Sequence, residues 1–306
     1  VINLEIPTES EKELKAQLKT FPRIKKAYVN ASINGQEVKL KFHGTSNEHY
    51  YNNLQSYRIK LPKDAKLIYG CRKLQLIKYG EADPGMICAN QYAKEMGLIA
   101  PVGRMIDLKI NGDYIGVYYL VEHHDEIFFK KHSFKNAVLL SQTTHWDRKE
   151  SHQRNLQHST PFDWEIEHLE QKDHPNFTEA LLTYGKLGSY VKQNQTDSIK
   201  TLVDINYLAK FMTSAALFNE IHFMTGDNMK WLYDFESKKL YPYYRQESGG
   251  KLLPDAQKNN FADFDSHLFN HSLTRYGVAE NLKIFKLLLT DDGFRNLRNT
   301  YLHQEI

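Results

Sequence analysis

Cysteine is nearly absent. Cys71 and Cys88 are the only two in 306 residues, too few for a disulfide framework and outside any Cys-x-x-Cys spacing that would hold zinc or cycle redox. Both are expected to be buried free thiols. Long apolar runs are missing too, since no window approaches the roughly 18 uninterrupted apolar residues of a membrane-spanning helix. The opening VINLEIPTESEKE has neither a basic leader nor an apolar h-region. Neither sign of charge dominates: 40 Lys and Arg face 37 Asp and Glu, a formal +3, and their interleaving leaves no nucleic-acid footprint. G-x-S-x-G, Walker A, H-E-x-x-H and G-x-G-x-x-G do not occur, so serine hydrolase, P-loop, zincin and Rossmann chemistries lack their usual motifs.

What is present is an ordinary globular composition, 41% hydrophobic and 12% aromatic, enough to bury a large core in one large domain or two small ones. The chain begins with valine and stops at Ile306 inside an amphipathic pattern (Phe294, Leu297, Tyr301, Leu302), which suggests a trimmed segment. Residues 1 to 62 read as strands. Val1 to Ile6 is expected as an edge strand, Glu9 to Lys19 as a polar helix or turn, and Lys26 to Ile33 and Glu37 to His43 as a pair around Asn34-Gly35. A meander is the simplest topology. Ser56 to Leu61 alternates, so Tyr57, Ile59 and Leu61 share one face and Ser56, Arg58 and Lys60 the other. Asp83 as N-cap and Pro84 at the first helical position predict a helix that stops at Gly97.

Asp107 to Phe129 carries the strongest local signal. Asn111-Gly112 supplies the positive φ angles of a tight type I′ turn, and the apolar residues alternate on either side of it. The return strand delivers Glu122, His123, His124 and Asp125 at its far end, where a helix begins. Ser141 to His174 is polar and irregular, an expected surface insertion before the helical half. Its histidines (His145, His152, His158, His168, His174) lack zinc-like spacing and are expected on unstructured surface. Helices are predicted at Thr178 to Lys192, Asp204 to Phe218, Glu280 to Leu289 and Asp291 to Leu302, with Asp204 as a cap. A second hairpin pairs Met229 to Phe235 with Lys239 to Arg245. The layout is α+β, strand-rich in the N-terminal half and helix-rich in the C-terminal half.

Arg58 and Lys60, one pleat apart, can meet one anion or form a solvated strand face. Asp263, Asp265, His267 and His271 have a spacing that fits either a metal site or an acidic helix start. Thr225-Gly226-Asp227-Asn228 is turn-rich text. Asn30-Ala31-Ser32, Asn176-Phe177-Thr178 and Asn194-Gln195-Thr196 match the glycosylation sequon.

Five blocks then occur in a telling order: YRIKL, YGCRKLQL, the capped helix ending in GLIAP, LKINGDYIGVYYLVEHHDEIFF, and FNEIHFMTGDNMKWLYDFESKKLYPYYRQESG. Together they resemble the spore-coat protein H (CotH) kinase family over nearly the whole chain. The resemblance implies a single domain of atypical protein-kinase fold, with a β-rich lobe over about 1–125 and a helical lobe over about 126–306. It implies ATP with Mg²⁺ or Ca²⁺ bound between the lobes and phosphorylation of Ser or Thr on a protein partner. Arg58 and Lys60 would face the phosphates, Glu122 would mark the hinge near the adenine, Asn228 and Glu247 would hold metal, and His222 or Asp227 would position the acceptor. A bacterial spore coat, envelope or secreted setting follows by the same resemblance. The sequence departs from the family pattern in its catalytic block and in its first helix. His222 or Glu220 stands near an expected Asp, and Tyr243-Tyr244-Arg245-Gln246-Glu247 replaces an expected Asp-x-Asp. A cation expected in the first helix is replaced by Ile87 and Cys88. The alternative implied is a degenerate pseudokinase acting as a coat or cell-surface assembly module.

Overall fold

The computed structural model describes residues 1–18, 26–44, 54–80, 84–142, 145–146, 156–157, 164–166, 174–219, 222–224, 228–245, 264–265, 268 and 279–304. The chain separates into two units, residues 1–87 with 101–131 and residues 88–100 with 132–306. The result is an α+β fold, a strand-rich N-terminal region followed by a helical C-terminal one.

The first unit is a closed seven-stranded barrel. Its strands are β1 (Ile2–Glu5), β2 (Val29–Ile33), β3 (Gln36–Phe42), β4 (Tyr57–Lys60), β5 (Lys73–Lys78), β6 (Gly103–Ile110) and β7 (Asp113–Glu122), in the cyclic order β1-β2-β3-β4-β5-β7-β6. Strands β1 to β4 form the expected meander, β5 extends it, and the β6–β7 hairpin joins it in reverse order. The chain start reads as an edge strand, yet β1 is internal: it pairs antiparallel with β2 and parallel with β6. The two Asn-Gly turns explain why. Asn34 and Asn111 both adopt positive φ, and each is followed by a positive-φ glycine. Asn111 Oδ1 accepts from the Ile6 N–H at 2.7 Å, its Nδ2 donates to the Ile6 carbonyl at 3.1 Å, and Asn34 Oδ1 accepts from the Asn3 N–H at 2.9 Å. Each turn therefore fixes its hairpin and also grips β1, which closes the barrel and removes the exposed edge. Leu4, Ile33, Leu40, Ile59, Leu76 and Leu108 fill the interior with their neighbours. Gly103 is fixed by contact: a Cβ there would sit 2.2 Å from the Leu120 carbonyl oxygen.

Helix α1 (Thr8–Gln17) follows β1, α2 (Pro84–Glu95) follows β5, and α3 (Glu126–Lys131) follows β7. Asp83, the expected cap of α2, lies outside the described residues. The first turn of α2 belongs to the barrel unit, where Met86 and Ile87 pack with Ile77, Tyr119 and Val121. Of the two cysteines, Cys71 is buried as expected but Cys88 is exposed, because it lies on the polar side of α2.

In the second unit β8 (Ala137–Gln142), β11 (Trp164–Ile166), β12 (Lys230–Asp234) and β13 (Lys239–Pro242) form a sheet in the order β11-β8-β12-β13. A separate pair, β9 (His145–Trp146) with β10 (Leu156–Gln157), lies in the polar insertion. The helices are α4 (Phe177–Lys192), α5 (Thr196–Leu202), α6 (Ile205–Leu217), α7 (Ala279–Thr290) and α8 (Asp292–Gln304). Asp204 caps α6 by accepting from the Tyr207 N–H at 2.8 Å, and Asp291 caps α8 by accepting from the Phe294 N–H at 2.8 Å. The GLIAP segment is core: Leu98, Ile99 and Ala100 are fully buried. The Ile99 N–H donates to Tyr207 Oη at 2.7 Å, and the Tyr244 N–H donates to the Ile99 carbonyl at 2.9 Å. Phe211 on α6 gathers Phe223, Tyr244 and Phe285 within 5.9 Å, centroid to centroid.

Candidate functional site

Alternation on β4 turns Tyr57 and Ile59 into the barrel and leaves Arg58 and Lys60 half-buried on its outer face. The register shows what the sequence alone could not. Lys60 lies directly opposite Lys39 on β3 and Lys73 on β5, and Arg58 lies opposite Lys41 and Gln75. Directly paired residues project from the same face, so five cations share a patch three strands wide. Their contacts are unusual for cations. Lys39 Nζ donates to Asn30 Oδ1 at 2.6 Å, Lys41 Nζ lies 4.5 Å from the Tyr28 ring centroid, and Arg58 Nε donates to His43 Nδ1 at 3.2 Å. Lys39, Lys60 and Lys73 form no ion pair with any described residue. Like charges directly opposite one another destabilise a sheet. The row Lys39, Lys60 and Lys73 thus concentrates like charge on one face, although Lys73 is near enough to Asp125 to act against the rise that burial gives its pKa.

The far end of the hairpin is the reverse case. Glu122 Oε1 accepts from Lys131 Nζ at 2.8 Å and from Cys71 Sγ at 3.4 Å, while Oε2 faces the Val102 N–H at 3.4 Å. Its backbone N–H donates to the Val102 carbonyl and that of His123 to the Lys73 carbonyl, each at 3.1 Å. Burial, then the Glu122 charge, pushes the Cys71 thiol up to about 11. For Lys131 burial pulls the pKa down, but the hydrogen bond and charge of Glu122 reverse this and leave it raised. Asp125 is buried and begins α3 by accepting from the Phe128 N–H at 2.9 Å, and burial raises its pKa. Arg72 Nη1 donates to Glu126 at 2.6 Å. The polar patch that ends the hairpin is thus a strand-to-helix junction locked by its own charges.

In the second unit Asn228 is half-buried just before β12, and His222 opens a short 3₁₀ turn, His222–Met224. Asp227, Glu247, Glu220, Asp263, His267 and His271 lie outside the described residues. Tyr243 and Tyr244, where the resemblance leads one to expect an Asp-x-Asp, are buried aromatic core residues, 2% and 0% exposed. Among the described residues no three His, Cys, Asp or Glu side chains gather as metal ligands would. Asp265 is committed elsewhere: Arg298, almost fully buried, forks onto both of its oxygens at 2.8 and 2.5 Å. His174, expected on unstructured surface, stacks on Phe235 at 4.1 Å and 11° and bonds to Asn136 Oδ1 at 2.8 Å. The aromatic ring at the end of β12 gives it a partner that its own neighbourhood in the sequence does not reveal.

Alternation in the sequence singles out Arg58 and Lys60 as outward-facing but does not bring Lys39, Lys41 and Lys73 beside them. Counting outward from Asn34-Gly35 places Lys39 and Lys41 on the outer face, since Val38 and Leu40 must point inward. No comparable count runs from β3 to β4, so the alignment of the three lysines stayed hidden. Compared with known proteins, the chain matches the profile of the CotH kinase protein family over residues 40–304. No curated protein matches it.

Proposed function

The chain belongs to the CotH kinase family, and from that premise we propose that it is a CotH-like atypical kinase. It binds ATP with Mg²⁺ or Ca²⁺ and phosphorylates Ser or Thr on a protein partner, a coat or cell-surface protein. The observation that carries this reading is the row Lys39, Lys60 and Lys73 across β3, β4 and β5, where lysine stands opposite lysine and, among the described residues, no salt bridge joins the three to a carboxylate. Phosphate oxygens fit such a face. Arg58 offers a planar fork and Lys60 a mobile point charge, and together they hold a phosphate chain in place. The nucleotide with its metal, when bound, supplies the transferable phosphoryl group and neutralises the charge that develops on it.

The remaining roles rest on the family resemblance. Asn228 and Glu247 are hard oxygen donors suited to Mg²⁺ or Ca²⁺. His222 or Asp227 accepts the proton of the acceptor hydroxyl and orients it. Glu122 marks the hinge by holding the end of β7 to α3 through Lys131. The two units correspond in this reading to the two lobes of one kinase domain.

A second reading has its own observation. Tyr243 and Tyr244 fill core positions, with Tyr244 packed 4.6 Å from Phe223, so two metal-binding carboxylates of the family pattern are replaced by packing. On that ground the chain is a pseudokinase that keeps the anion-binding face and serves as an assembly module. Radiolabelled γ-phosphate transfer to casein or to the protein itself separates the two. Transfer that disappears in both Lys60→Ala and Glu247→Ala is the result expected of a kinase. Nucleotide binding without any transfer would establish the pseudokinase.

A further inference from the structure

The same face, taken as the phosphate site just proposed, has a further property. Lys39, Lys60 and Lys73 stand in one cross-strand row on β3, β4 and β5. At the usual separation of neighbouring strands the row spans roughly 10 Å, comparable with an extended triphosphate. A single phosphate needs one or two such cations, whereas three in line suit a chain of phosphates.

At the end of β7, the hinge in that reading, the backbone donors are already engaged. Protein recognition of a purine edge at a strand end uses free backbone N–H groups, and at the end of β7 both the Glu122 and the His123 N–H are donated within the barrel unit. The Glu122 carboxylate is likewise engaged by Lys131 and Cys71. Cations that suit phosphate are therefore abundant on this unit, while the donors at that strand end are engaged.

We propose that the protein selects its phosphoryl donor by the length of the phosphate chain, read by Lys39, Lys60 and Lys73, and not by the base. The ligand class is a linear oligophosphate, carried on any nucleoside or free. Lys39 and Lys73 are added to Arg58 and Lys60 as binding residues, one on each side of Lys60. The inference rests on the phosphate-site reading but not on catalysis.

Isothermal titration of the full chain in Mg²⁺ with ATP, GTP, inorganic triphosphate, ADP and AMP tests it. ATP, GTP and triphosphate should bind within about threefold of one another, ADP about tenfold more weakly, and AMP more weakly still. In Lys39→Gln/Lys73→Gln triphosphate should weaken about tenfold towards ADP, with the melting temperature unchanged or raised as proof of folding. Each single variant gives the same readout at smaller size. ATP tighter than GTP and triphosphate by about tenfold would show that the base is read and overturn the proposal. So would an intact ladder in the double variant, no binding of any oligophosphate, or equal competition by a poly-glutamate peptide. Failure here is distinct from failure of the kinase reading. An intact ladder without phosphoryl transfer removes only the kinase, and transfer from ATP with rejection of GTP removes only this inference.

Discussion

Two regions of the molecule hold their cations in opposite ways. In the second unit Arg298 is matched to Asp265, Lys238 to Glu179 and Lys200 to Asp291. The barrel unit does the same at the junction with α3, where Lys131 meets Glu122 and Arg72 meets Glu126. Across β3, β4 and β5 the matching stops, and lysine faces lysine. Paired charges hold elements together, whereas a row of like charges works against the fold it sits on. The difference predicts that removing a cation has opposite signs in the two places.

The sharpest break of that contrast comes from Arg298. Its side chain is 3% exposed, so Arg298→Ala leaves the Asp265 carboxylate without its fork and should cost about 3 kcal/mol. Denaturant titration of the variant checks this, and a loss below about 1 kcal/mol would mean the pair is no structural element. Next in size is Asn111, which combines a positive-φ turn with two hydrogen bonds to Ile6. Asn111→Ala should cost about 2 kcal/mol, seen as a lower denaturation midpoint with early amide exchange in β1 and β6.

A smaller effect concerns acid. Hydrogen bonds from Lys238 and Tyr233 lower the Glu179 pKa below its usual 4.5. A carboxylate depressed on folding contributes stability above its unfolded pKa and loses it as pH falls through the folded one. Wild type should therefore lose stability below about pH 4.5 more steeply than Glu179→Gln, in melts taken from pH 7 to pH 3. Parallel acid limbs would show that the turn between β12 and β13 is not clasped by this residue. The smallest effect has the opposite sign. Lys73→Gln should raise the melting temperature slightly at low salt, and salt should erase the gain, because relief of repulsion from Lys60 outweighs the attraction lost to Asp125. A destabilised Lys73→Gln would place that lysine among the structural cations.

Much of the fold was legible from local chemistry. Asn34-Gly35 and Asn111-Gly112 announced both barrel hairpins, and Asp204 announced α6. What could not be read was long-range. The parallel pairing of β1 with β6 depends on asparagine side chains reaching about a hundred residues along the chain. β8 joins β12 in the second sheet although some ninety residues separate them, and its text runs into the polar insertion without a turn signal. The short helix α5 has no amphipathic pattern long enough to show. Alternation put Arg58 and Lys60 on one face of their strand, whereas register was required to set Lys39 and Lys73 beside them. Glu122 was visible as a polar strand end, and its engagement by Lys131 and Cys71 was not.

The central claim is that the lysine face of the barrel is where this CotH-family protein takes up phosphate. A crystal structure of the full chain with a non-hydrolysable nucleoside triphosphate and Mg²⁺ tests it most directly. The account predicts phosphate oxygens within hydrogen-bond reach of Lys60 Nζ and of Lys39 or Lys73. A triphosphate bound at full occupancy elsewhere, with the three lysines left in solvent, would contradict it.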